Sequence, residues 1–291
     1  MKPAPFDYFA PTTLEEALDL LGQYGSDARV IAGGQSLVPM LALRLARPEV
    51  IIDLNRIPSL AGIVEDGTTL RIGAMTRQAH ALASPVVCKF LPLLHDGLEN
   101  VGHPPTRARG TIGGSLSHAD PAAETPLVMM AYRARMVIVG PNGERTVDAD
   151  AFTLGTFETA IEEGEILKEI LLETHADEGT GFVELSRRRG DFAMVSAGAR
   201  VRLDAAGRCT EAHLMIGAVA PVPLRCDAAA ATLVGQVPTE ALVREAVRLI
   251  DLEAFEFDNP EISVAYRRHI APTLARRALM QAVNRAGDLR K

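Results

Sequence analysis

The pairs Gly33-Gly34 and Gly113-Gly114 constrain this 291-residue chain more than any other feature. Val30-Ile31-Ala32 before the first pair and Thr111-Ile112 before the second read as strand, and a small hydroxyl follows each, Ser36 after Gln35 and Ser115. Paired glycines let successive backbone N–H groups turn toward one point without Cβ interference, and such a nest binds phosphate or carboxylate oxygen. One pair alone reads more readily as a tight turn. Two of them, each with a serine, suit a diphosphate gripped from two sides. There is no Gly-Lys pair for a Walker A loop, no His-Glu-x-x-His and no Gly-x-Gly-x-x-Gly after a strand, so a nucleotide must be held by another frame.

With 47% apolar and 23% charged residues, the chain can fill the cores of two or three domains. The net charge is -7, and Lys and Arg are mixed with acidic residues, so no nucleic-acid footprint is present. The opening Met1-Lys2-Pro3-Ala4-Pro5-Phe6 lacks the apolar core of a signal peptide. No run reaches the ~18 uninterrupted apolar residues of a membrane helix, so a cytoplasmic protein without a membrane span is expected. Cys88, Cys209 and Cys226 are too few and too far apart for an iron–sulfur or zinc cluster and read as buried small hydrophobes. No metal site is expected in this chain.

Thr13 with Glu16 predicts a capped helix presenting Leu14, Ala17, Leu18 and Leu21, and Ala28 to Ala32 and Val50 to Leu54 predict strands. Residues 1–57 thus form a first α/β unit. A second, 58–176, carries a strand at Leu70 to Gly73, helical segments from Thr76 to Ala83 and Lys89 to Asn100, and an irregular approach through Pro104, Pro105 and Gly110. Asp120 as N-cap with Pro121 after it predicts a helix beside the second glycine pair. A hairpin turns at Asn142-Gly143, and a strand follows over Glu165 to Glu173. The polar stretch between Thr174 and Gly181 marks the boundary of a third unit, 177–291. There strands at Phe182 to Leu185, Ala193 to Leu203 and Cys209 to Val219 precede helices at Ala228 to Leu233, Glu240 to Asp251 and Ala265 to Asn284.

Two long stretches, Val30-Ile-Ala-Gly-Gly-Gln-Ser-Leu-Val-Pro-Met40 and Arg109-Gly-Thr-Ile-Gly-Gly-Ser-Leu-Ser-His-Ala-Asp-Pro121, with Ile51-Ile52-Asp53-Leu54 between them, resemble the FAD-binding medium subunits of molybdenum-containing hydroxylases. That family includes subunits of carbon monoxide dehydrogenase and of aromatic and heterocycle hydroxylases, and the central part of xanthine dehydrogenase. The resemblance runs nearly end to end. It implies an α+β fold: a vanillyl-alcohol-oxidase-type (PCMH-type) FAD-binding domain of two α/β subdomains, followed by a C-terminal α+β flavoprotein domain.

By the family pattern, Ala32, Gly33, Gly34, Gln35 and Ser36 and then Thr111, Ile112, Gly113, Gly114 and Ser115 wrap the FAD through N–H and hydroxyl donors. Glu124 falls at an acidic position associated with ribityl or ribose hydroxyls, though a first-turn helix charge explains it equally well. Phe192, in Phe182-Val-Glu-Leu-Ser-Arg-Arg-Arg-Gly-Asp-Phe192-Ala193, falls where a bulky residue meets the isoalloxazine, the competing reading being plain core. Val101 matches a position near the ring. Glu184 stands where many members carry lysine, and His103 and His118 flank the second motif with no assigned role.

The resemblance further implies a large molybdopterin subunit and a small subunit with two [2Fe-2S] clusters, assembled as a dimer of heterotrimers. The medium subunit then takes electrons from the clusters and passes them to NAD, a quinone, oxygen or a carrier, with no catalytic side chain of its own. Two alternatives stay open: a stand-alone flavin oxidoreductase of the same fold, and a non-catalytic scaffold.

Overall fold

The computed structural model describes residues 2–175, 177–258 and 262–289, so Met1 and the expected boundary residue Ala176 lie outside it. Among the described residues, three sheets of three or more strands organise the chain, beside a small two-stranded one of Thr153–Gly155 and Glu158–Thr159. In the first, Val50–Asp53 pairs in parallel with Asp7–Phe9 on one side and Ala28–Ile31 on the other. The helix Leu14–Tyr24 covers this sheet through Ala17 and Leu21. Its start is secured because Thr13 accepts the Glu16 N–H at 3.2 Å while Glu16 accepts the Thr12 N–H at 2.8 Å. The strand at Asp7–Phe9 lacks a clear sequence signal.

The second sheet is antiparallel throughout, in the order Ile63–Asp66, Thr69–Gly73, Ile166–Glu173, Arg135–Gly140, Gly143–Asp148. The expected hairpin is its edge, with Gly143 in the left-handed region at φ 97°. The third, also antiparallel, runs Glu178–Ser186, Ala193–Leu203, Cys209–Gly217, Leu224–Arg225, and the helix Val264–Asp288 packs across its first two strands.

Between the second and third sheets lies the helix Glu124–Ala131, buried at every residue. Its Leu127 presses on Gly198 and Gly217, where a Cβ would come 2.6 and 2.9 Å from the Leu127 methyl carbons. Beside it, Arg200 holds Glu178 through two hydrogen bonds of 2.6 and 2.5 Å, donates to the Ala131 carbonyl at 2.7 Å and lies 4.5 Å from the Tyr132 ring centroid.

Four local expectations are corrected. The approach through Pro104 and Pro105 is a helix, Pro104–Arg109, because prolines in a first turn forfeit no helical hydrogen bond. The helix expected from Pro121 starts instead at Glu124. Asp120 caps a turn by accepting the Ala122 N–H at 2.9 Å, and an earlier start would have placed Pro126 mid-helix, where its ring clashes with the preceding turn. The second glycine pair is no left-handed nest: Gly113 and Gly114 sit inside the helix Ile112–His118. Finally, Cys209 and Cys226 are buried but Cys88 is exposed.

Candidate functional site

The strand Ala28–Ile31 runs out at Ala32, and the chain turns through Gly34, at φ 71°, into the short helix Leu37–Ala42. Gly33 is pressed against the neck of the second motif. A Cβ there would lie 2.8 Å from the Arg109 carbonyl carbon and from Gly110 Cα, and closer still to the Arg109 carbonyl oxygen. Among the described residues, no protein acceptor takes up the N–H groups of Gly33, Gly34, Gln35, Ser36 and Leu37. Buried N–H groups are nearly always paired, so five successive open donors, the first at a buried residue, form a cradle shaped for an anionic oxygen-rich ligand.

The second motif works differently. The N–H groups of Ile112, Gly113, Gly114 and Ser115 are all taken, by the Thr76 carbonyl (3.0 Å), the Ala74 carbonyl (2.8 Å), the Thr111 hydroxyl (3.0 Å) and the Thr111 carbonyl (3.2 Å). The expectation that these amides bind a ligand is therefore corrected, because the turn after the strand Thr69–Gly73 and the Thr111 cap already supply their acceptors. Ile112 is fully buried in the core of the middle region, and Gly113 is a contact glycine whose Cβ would sit 2.7 Å from Ala74 Cα. What remains open is the half-exposed face of Gly114 and Ser115, and a Cβ on Gly114 would lie 3.4 Å from that of Ala32. The two motifs thus meet, one offering amides and the other a hydroxyl and a bare backbone.

A side-chain relay missed from sequence sets their spacing. Asn55 donates to the Ala32 carbonyl at 2.8 Å, and Arg77 donates both to Asn55 Oδ1 at 2.5 Å and to the Arg109 carbonyl. Tyr8 completes it by donating to Asp53 at 2.5 Å, while Asp53 also takes the Asn55 N–H at 2.8 Å. Burial and the neighbouring Arg109 charge pull Arg77 below its usual range, and its cationic head stands behind the cradle. The available signal was the Asp53-Leu54-Asn55 turn closing the Ile51-Ile52 strand.

Glu124 is 7% exposed, and burial with the nearby Asp120 pushes its carboxyl up to about 7. Val101 is half-buried against the middle core, its carbonyl accepting from Arg107 at 2.7 Å. Phe192 is no core residue, being 66% exposed. It lines a cleft of about 640 Å³ with Thr156, Arg187, Phe257 and the Asp120-Pro121 end of the second motif. His103 touches Gly190 of the same loop, and His118 packs its ring 4.9 Å from that of Phe157. Burial lowers His118, which favours its neutral form.

A cradle of open amides at a strand end, joined to a helix-borne serine and backed by a separate sheet-and-helix domain, defines a two-part FAD-binding fold. The family model of the FAD binding domain in molybdopterin dehydrogenase matches residues 4–172, and that of the CO dehydrogenase flavoprotein C-terminal domain matches 181–282. The carbon monoxide dehydrogenase medium chain of Hydrogenophaga pseudoflava is 41% identical over 97% of this chain and 98% of its own length. The 6-hydroxypseudooxynicotine dehydrogenase complex subunit alpha of Paenarthrobacter nicotinovorans is 36% identical over 98% and 97%. A solved carbon monoxide dehydrogenase from Hydrogenophaga pseudoflava superposes with a TM-score of 0.94, at 40% identity over 98% of this chain and 99% of that one. The chain belongs to the FAD-binding medium subunits of molybdenum-containing hydroxylases, the family of carbon monoxide dehydrogenase and xanthine dehydrogenase. It is an oxidoreductase subunit of α+β architecture, with a PCMH-type FAD-binding domain and a C-terminal flavoprotein domain, and its cofactor is FAD. No helix among the described residues is long and apolar enough to cross a membrane.

Proposed function

We propose that this subunit takes electrons from the [2Fe-2S] clusters of a small partner subunit and delivers them to an external acceptor: NAD, a quinone, oxygen or a carrier. A large molybdopterin subunit oxidises the substrate, the three assemble as a dimer of heterotrimers, and the complex works in the cytoplasm. The organisation that serves this is 1–57 and 58–176 as the two FAD-binding subdomains and 177–291 as the flavoprotein domain. FAD, when bound, supplies two-electron storage with one-electron exchange, which no side chain here offers.

The observation that carries the reading is the row of five open N–H groups from Gly33 to Leu37 beside Gly114 and Ser115. In this reading the amides of Gly33, Gly34, Gln35 and Ser36 and the Ser36 hydroxyl hold the pyrophosphate. Ala32 and Gly114 allow its close approach, and the Thr111 and Ser115 hydroxyls add donors. Ile112 and Gly113 act from behind by fixing the helix to Ala74. Glu124 accepts from sugar hydroxyls, while Val101 and Phe192 border the ring and limit water there. The chain binds and orients, and moves no proton of a substrate.

Purification of the chain alone and co-expressed with its neighbours tests this. A yellow protein whose flavin no substrate bleaches, but which bleaches once iron- and molybdenum-containing subunits co-purify, is the expected result. Flavin bleached by substrate in the isolated chain would establish a stand-alone enzyme, and a colourless chain that FAD cannot reconstitute would establish a scaffold.

A further inference from the structure

The helix Leu37–Ala42, which leaves the cradle, ends in a tight closure. The Leu45 N–H donates to the Met40 carbonyl at 2.9 Å and the Arg44 N–H to the Leu41 carbonyl at 3.0 Å, the paired bonds of a helix stop built round one left-handed residue. Glycine suits that residue best, yet Arg44 occupies it at φ 59°. In such a stop the next side chain commonly folds back on the helix. Leu45 stands there and is instead 73% exposed, with Leu43 and Val38 also more than half exposed. Leu41 is buried and seats the opposite side of the helix, whose six residues span only about 9 Å, so the three exposed side chains stand in one small region of surface. A strained residue thus turns leucine outward rather than inward.

The charge around them is positive. Arg44 donates through Nε to the Lys2 carbonyl at 3.3 Å, and Arg47 does the same to the Arg44 carbonyl at 3.1 Å. Among the described residues neither has a carboxylate within ion-pair distance, in a chain whose net charge is -7. Apolar side chains edged by arginines without counter-ions have the make-up of an interface centre and its rim. A second copy of the chain in a two-fold contact would bring Arg44 and Arg47 against their own like. Attraction to an anionic membrane takes clusters of about four to eight basic residues, more than stand here. An acidic surface of a different protein matches both the leucines and the charge.

We propose that Val38, Leu43 and Leu45, edged by Arg44 and Arg47, dock the iron–sulfur subunit through apolar side chains bordered by carboxylates. This rests on the three-subunit reading above. Val38 directly follows Leu37, the last open amide of the cradle, and of the two partners the iron–sulfur subunit is the one that must come up to the flavin.

The test compares the wild-type chain with Leu45→Glu and Arg44→Gly, each co-expressed with the iron–sulfur and molybdenum subunits and then titrated with purified iron–sulfur subunit. Leu45→Glu should weaken that binding roughly a hundredfold, by setting a charge at the centre of the contact. Arg44→Gly gives the turn its preferred residue, so its thermal midpoint should not fall, yet binding at about 0.05 M salt should weaken about tenfold, and the difference from wild type should shrink at about 1 M. Flavin content of both variants should equal that of wild type. Wild-type binding by Leu45→Glu would overturn the docking site alone, as would loss of flavin together with binding, which would make the segment part of the cofactor site. Wild-type self-association abolished in Leu45→Glu, or sedimentation with phosphatidylserine vesicles, would overturn it by giving the patch to a second copy or to a membrane. A yellow wild-type chain that binds no iron–sulfur subunit would overturn the three-subunit reading itself.

Discussion

Gly33→Ala is the sharpest perturbation of the cradle. The added methyl would sit 2.8 Å from the Arg109 carbonyl carbon and Gly110 Cα and nearer still to the Arg109 oxygen, and all three are backbone. No rotamer relieves this. The first motif is tethered by Asn55 at Ala32 and the second by Arg77 at Arg109, so relief means parting the two by roughly 0.5–1 Å at a cost of about 1–3 kcal/mol. The same parting lengthens the ligand's hydrogen bonds to the Gly33 to Ser36 amides. Losing two such charge-assisted bonds is worth about 3 kcal/mol, or roughly a hundredfold in FAD affinity. Flavin content on purification and fluorescence titration of the flavin-free protein measure it. Gly22→Ala serves as control, because that methyl meets nothing within 4 Å and sits in a helix, where alanine is the better residue by up to about 1 kcal/mol. Wild-type FAD affinity in Gly33→Ala would refute the claim that the motifs' contact shapes the cradle.

Arg77→Lys removes the fork that spans Asn55 and the Arg109 carbonyl, and should weaken FAD roughly tenfold by titration with little change in the third sheet's stability. Ser115→Ala, which deletes one hydroxyl without touching the spent amides, should lower FAD affinity about three- to tenfold in the same assay. Glu178→Ala strands the buried Arg200 and should cost about 3–5 kcal/mol in denaturant unfolding, whereas replacing both residues by apolar ones should recover much of the loss.

The first motif was legible because its meaning is local: a strand end, two glycines and a serine determine a turn whatever surrounds them. The hairpin at Gly143 and the capped helix after Thr13 were legible for the same reason. The second motif misled because whether an N–H is free depends on acceptors at Thr76 and Ala74, which the sheet alone brings into place. The Asn55–Arg77 relay also joins residues distant in sequence, and no spacing rule encodes it. The late start of the helix at Glu124 was partly readable, since Pro126 disfavours an earlier one.

The helix Glu124–Ala131 has no wet side, being roofed by Gly198 and Gly217 and floored by the middle core. Although two family models divide the chain, their territories share this one rod. Severing the polypeptide in the polar stretch before Gly181 would therefore yield a first fragment with an oily scar and a second with an empty groove, each prone to clump, and only co-expression would let them heal into one body.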